Sequence, residues 1–109
     1  MANEVLVAFC TFPDAETAGK AVRELVQQRF VACGNIIPQI HSIYLWHDTV
    51  ESNEEVLAIM KLEAGRYPEF ETKLKSLHPY EVPEIIAFPV TNGLPSYLEW
   101  VTANCSGGL

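Results

Sequence analysis

Two short β-prone runs, Val5–Phe12 and Glu84–Val90, fail to alternate apolar with polar residues. In the first, Val5, Val7 and Phe9 fall on one side and Leu6, Ala8, Cys10 and Phe12 on the other; in the second, Ile85, Ala87 and Pro89 oppose Ile86, Phe88 and Val90. Successive strand residues point to opposite faces, so a half-solvated sheet should alternate. These strands need cover on both faces.

The rest of the chain limits where that cover comes from. The spacing of Ala18, Ala21, Val22, Leu25 and Val26 predicts an amphipathic helix ending near Gln28, capped by Asp14. Val31–Trp46 and Glu54–Leu62 read as a long hairpin turning at His47-Asp48-Thr49, with Pro38 forcing a kink or an edge position. Arg66–Leu77 reads as a second helix, with Tyr67, Phe70, Leu74 and Leu77 on one face and the pairs Glu69/Lys73 and Glu71/Lys75 on its surface. Ser96-x-x-Glu99 has the capping-box pattern and predicts a short last helix through Trp100. The order is βαββαβ plus a tail helix, an α+β split-βαβ arrangement in one domain, 1–109. Two helices cover one face, and a short tail cannot cover four strands. Copies of the chain are therefore expected to pack sheet on sheet. A patch of about 800 Å² per subunit would contribute about 20 kcal/mol gross, much of it offset by lost freedom.

Charge excludes one class of partner. Seven Lys and Arg against fourteen Asp and Glu give a net charge of −7, and the cations are scattered, so a nucleic-acid surface is not expected. Expected strand three, Glu54–Lys61, is acidic and lacks the aromatics of an RNA-recognition sheet. No membrane-length apolar run occurs, and Met1–Glu4 lacks the basic and apolar blocks of a signal peptide. Three widely spaced cysteines, Cys10, Cys33 and Cys105, suit a reduced cytoplasmic protein, and the sequon Asn104-Cys105-Ser106 is read as chance.

Chemistry-bearing motifs are sparse. There is no Walker loop, no Gly-x-Ser-x-Gly, no His-Glu-x-x-His and no Cys-x-x-Cys, and Gly19 and Gly34 are isolated. His41 and His47 fall on or beside the hairpin and read as solvated. His78, in the last turn of a helix, reads either as a cap on the helix's own carbonyls or as a metal ligand or acid/base group. Cys10 reads as packing, while Glu84 should need a partner at the start of a largely buried strand. Tyr44, Trp46, Tyr80 and Trp100 suit an interface or a ligand cleft.

Five segments are similar to one family. They are Cys10-Thr11-x-Pro13-Asp14, Ala32–Pro38, Ser42–Trp46, Leu77–Ile86 with its His-Pro-Tyr-x-x-Pro-Glu core, and Tyr97-Leu98-Glu99-Trp100. Together they resemble the CutA family, named for divalent-cation tolerance, over nearly the whole chain. The resemblance implies a ferredoxin-like fold in a homotrimer, with sheets packed inward and hairpins clasping neighbours. It implies a link to copper and other divalent metals, no organic cofactor and no established reaction; some animal relatives are associated with anchoring a membrane enzyme. The family's suggested metal ligands fall on Cys10 and His78, with Glu84 nearby, a thiolate and imidazole set that suits copper or zinc. Bacterial relatives with a His-His-Pro-Tyr run have a second histidine where this chain has Leu77. Three other readings stay open: a sensor binding a metabolite in inter-subunit clefts, an enzyme using Tyr80, Glu84 and His78 for proton transfer, though no nucleophile–base pair is evident, and a purely structural or scaffolding role.

Overall fold

The structure is a computed structural model that describes residues 4–105. The signal-peptide reading of Met1-Ala2-Asn3 and Ser106 of the sequon lie outside those residues.

Strand β1 (Val5–Phe12) leads into α1 (Ala15–Gln27). The Asp14 carboxylate accepts the Thr17 N–H at 2.7 Å, the expected N-cap, and Ala18, Ala21, Val22 and Leu25 are buried. At the other end Phe30 N–H donates to Leu25 O and Arg29 N–H to Val26 O, a Schellman closure. It places Arg29 at φ 62°, where glycine is usual.

The hairpin is longer than expected. Strand β2 is Cys33–Trp46 and β3 is Thr49–Glu63, joined by His47 and Asp48 at φ 50° and 64°. Two positive φ values in a two-residue loop match the twist of the flanking strands. β3 starts well before Glu54 because Thr49–Glu54 pair with His41–Trp46, although Glu51, Ser52, Asn53 and Glu54 are polar and exposed and give no alternation. Pro38 both kinks β2, where the register shifts between Ile37 and Ile40, and lies on an edge strand.

A 3-10 turn (Ala64–Arg66) precedes α2 (Tyr67–Leu77), with Pro68 in its first turn and Phe70 and Leu74 buried. The expected i, i+4 ion pairs are replaced. Lys73 reaches Glu24 of α1 at 3.7 Å, Glu69 takes Arg66 at 2.8 Å, and Glu71 accepts the Tyr67 hydroxyl at 2.9 Å. β4 is Ile85–Pro89 and α3 is Pro95–Asn104. The capping box does not form: Pro95 takes the first helical position, so Ser96 lies inside the helix and Leu94 stands at the cap without a side-chain bond. The helix also runs past Trp100.

The sheet is antiparallel, in the order β2-β3-β1-β4. Register puts Ala8, Cys10 and Phe12 beside Val56, Ala58, Met60 and Leu62 on one face, where they are buried with Val22, Leu25, Phe70 and Leu74. Val7, Phe9, Leu57, Ile59, Ile86 and Phe88 share the other face. There α3 covers one end, where Val5 is buried and Cys33 Sγ meets Tyr97 Oη at 3.6 Å. The remainder is open, with Phe88 44% and Ile86 51% exposed. β4 is therefore half-exposed in the subunit, not largely buried as its composition suggested.

β1 pairs with β3 only as far as Val56, so Thr49–Glu55 and Ile40–Trp46 extend beyond the sheet as a two-stranded arm. It carries Ile43, Leu45, Trp46 and Val50, each more than half exposed. A lone two-stranded hairpin is marginal in water.

Candidate functional site

The polar centre of the subunit lies where β1, the end of α2 and the base of the arm meet. Pro79 prevents α2 from continuing, so His78 leaves helical geometry at φ −92°, ψ 139°. Its ring then turns to β1 instead of capping its own helix, as the sequence had suggested. It is buried, lying 4.5 Å from the Phe12 ring at an interplanar angle of 22° and 4.7 Å from Tyr80.

Both ring nitrogens are engaged. The Tyr80 backbone N–H donates to Nδ1 at 3.1 Å, and Nε2 lies 2.7 Å from Thr11 O. A carbonyl can only accept and an N–H can only donate, so these partners place the ring hydrogen on Nε2. The Tyr80 hydroxyl continues the chain of bonds, donating to Glu55 Oε2 at 2.6 Å. Burial, that bond and the Glu55 charge all push the Tyr80 phenol up. Nearby, Asn53 Nδ2 donates to Tyr44 Oη.

Cys10 is fully buried on the helix-covered face, its thiol 3.8 Å from the same Thr11 carbonyl. Burial, then the charges of Glu84 and Glu55, push this thiol up to about 12. Cys10 therefore stays protonated at neutral pH. Glu84 precedes β4 and is exposed. The structure thus brings Cys10 and His78 to one carbonyl but leaves Glu84 outside. Among the described residues no three His, Cys, Asp or Glu side chains are grouped to hold a metal ion. A thiol with no exposed surface, an imidazole with both nitrogens bonded and a solvated carboxylate do not fit a cation as they stand.

Of the aromatics, Tyr44 accepts from Asn53 within the arm, and Tyr80 donates to Glu55 at its base. Trp46 lies at the arm tip against His47, and Trp100 stacks on Tyr97. His41 and His47 are exposed, as expected. Sequence reasoning missed Glu55 and the Thr11 carbonyl. Glu55 looks like one more acid in an acidic strand, and a backbone acceptor has no sequence signature.

The fold and this site define a class: a small α+β subunit with an antiparallel four-stranded sheet, one face closed by helices and the other left apolar. Residues 6–104 match the family described as CutA1 divalent ion tolerance protein. The chain belongs to that family. It is 44% identical over 91% of its length to Protein CutA of Mus musculus, and 39% identical over 90% to the divalent-cation tolerance protein CutA of Thermus thermophilus. It spans only 56% of the mouse protein but 95% of the Thermus one. The crystal structure of CutA from Xylella fastidiosa superposes with a TM-score of 0.91 at 37% identity, covering 94% of this chain and 98% of that one.

Proposed function

We propose that this chain works as a cytoplasmic, non-enzymatic divalent-cation tolerance protein, in a homotrimer of ferredoxin-like subunits with copper as the first cation to test. The observation that carries the assembly is the open sheet face. Phe9, Ile86 and Phe88 lie side by side on strands whose opposite side is already the core. The arm adds a second argument, since Ile43, Leu45, Trp46 and Val50 have no layer of their own to pack against. Threefold symmetry is what the family resemblance implies. Three free thiols suit a reducing compartment.

Sedimentation at micromolar concentration tests the assembly: a single-chain particle refutes it. Growth of a host lacking its own homologue, in graded copper, with this chain or with Phe88→Glu, tests the role. Equal tolerance without either chain removes it.

A sensor binding a small molecule is the second reading, supported by two polar pairs along the arm, Asn53 with Tyr44 and Tyr80 with Glu55. A metabolite that raises the melting temperature where divalent cations do not would favour it.

A further inference from the structure

We infer that Cys10, His78 and Glu84 do not form a cation site in this chain, and that His78 is a structural joint locking the end of β1 to the base of the arm. This goes beyond the tolerance role, which stands if cations bind elsewhere.

A metal takes imidazole through an unshared pair in the ring plane, and this ring has one such pair in the tautomer its partners impose. That pair, on Nδ1, already faces the Tyr80 N–H at 3.1 Å. The other in-plane position holds the hydrogen directed at Thr11 O, 2.7 Å away. Ligation through either nitrogen strands a backbone group that the ring now satisfies. Phe12 and Tyr80 pack about the ring, so it cannot swing aside without opening the core.

Cys10 offers no better donor. Its side chain has no exposed surface and lies within the core, on a face closed by α1 and α2, so no cation reaches the sulfur without opening the helical layer. Leu77 packs against the core at the position where a second histidine would stand. Glu84 is exposed.

The same bonds have a clear mechanical result. Thr11 belongs to the last turn of contact between β1 and β3, since Phe12 pairs with Val56 and Glu55 is the first β3 residue beyond. The sequence of bonds from Thr11 O through His78, the Tyr80 N–H and the Tyr80 hydroxyl ends on Glu55 Oε2 at 2.6 Å. It crosses from the sheet, over the α2–β4 connection, to the point where the arm leaves the sheet. His78 thus sets the angle and rigidity of the arm.

The test uses the full-length assembled protein, first without mutation. Nitrogen-15 spectra of the His78 ring should show the Nε2–H tautomer and stay unchanged with one Zn²⁺ per subunit; a ring shift at that ratio overturns the proposal. Calorimetric titration with Zn²⁺ and Cu²⁺ should give the same stoichiometry, and affinities within about twofold, for the parent, Cys10→Ala and His78→Gln. Loss of one cation per subunit in either variant also overturns it. For the joint, Tyr80→Phe should speed amide exchange across Ser42–Asn53 by about tenfold while leaving β1 unchanged. Unchanged exchange in the arm refutes the mechanical role.

Discussion

Gly34 offers a clean test of how the hairpin seats on the helical layer. It pairs with Met60 and faces α1, and a Cβ added there would lie 2.5 Å from Val22 Cγ1 and 3.3 Å from Met60 Cγ. Carbon atoms rest at about 3.5–4.0 Å, so the first contact is about 1 Å too short. Val22 cannot swing away easily, because a β-branched side chain in a helix holds one rotamer. Overpacking of this kind costs about 1–3 kcal/mol. The gain from replacing a strand glycine by alanine, about 0.5–1 kcal/mol, offsets part of it. Gly34 has no positive φ, so alanine meets no backbone strain. A contact as short as 2.5 Å puts the overpacking cost in the upper part of its range, about 2–3 kcal/mol, so Gly34→Ala should lose about 1–2 kcal/mol net. Val22→Ala removes two methyl groups and should lose about 1.6 kcal/mol by itself. The double variant places one methyl where another was removed, so its loss should fall short of the sum by about 1 kcal/mol. Urea unfolding followed by circular dichroism, at one fixed subunit concentration, measures all three. A Gly34→Ala protein as stable as the parent, or losses additive within about 0.5 kcal/mol, would refute the close-contact account.

Other perturbations separate the remaining arguments. Ile86→Glu with Phe88→Glu should leave the subunit folded by circular dichroism but shift sedimentation to the single chain, because both side chains lie on the open face. Cys105 Sγ accepts the Glu63 N–H at 3.3 Å and donates to Phe30 O at 3.0 Å, so Cys105→Ala should loosen α3 and cost about 1–3 kcal/mol in thermal or urea unfolding. Cys105→Ser, which keeps both bonds, should lose less. Cys10 has a folded-state thiol pushed from 9.0 to about 12, so its neutral form stabilises the fold below pH 9 and that contribution is lost as pH rises from 9 towards 12. Cys10→Ala should flatten the alkaline fall in melting temperature; an unchanged pH profile counts against the burial argument. Arg29→Gly should raise stability by about 1 kcal/mol, since it relieves a left-handed residue and leaves intact the Arg29 carbonyl that Arg66 bonds.

Most of the fold is legible in the chain because it rests on local rules. Asp14 has no better role than capping, the recurrence of Ala18, Val22 and Leu25 defines one buried stripe, and Pro79 has to end α2. The failures share a cause as well. Ser96 and Glu99 have the pattern of a box, but Pro95 already occupies the first helical position, which a pattern does not weigh. Lys73 prefers a carboxylate on α1 to its own i−4 neighbour, because packing of the two helices sets the distance. The polar outer half of β3 has no alternation, since two-sided solvent exposure removes the burial that produces it.

The sequence by itself determined that this is an α+β subunit, that β1 and β4 are apolar on both sides, and that Cys10 and His78 belong to segments with a family's pattern. Only the tertiary structure decided what those two residues do. Hydrogen bonds to backbone carbonyls and N–H groups depend on where elements far apart in the chain meet, and Thr11 and Tyr80 present to His78 atoms that every residue has. Side-chain identity therefore foretells the stripe of a helix, but not which lone pair of an imidazole remains free.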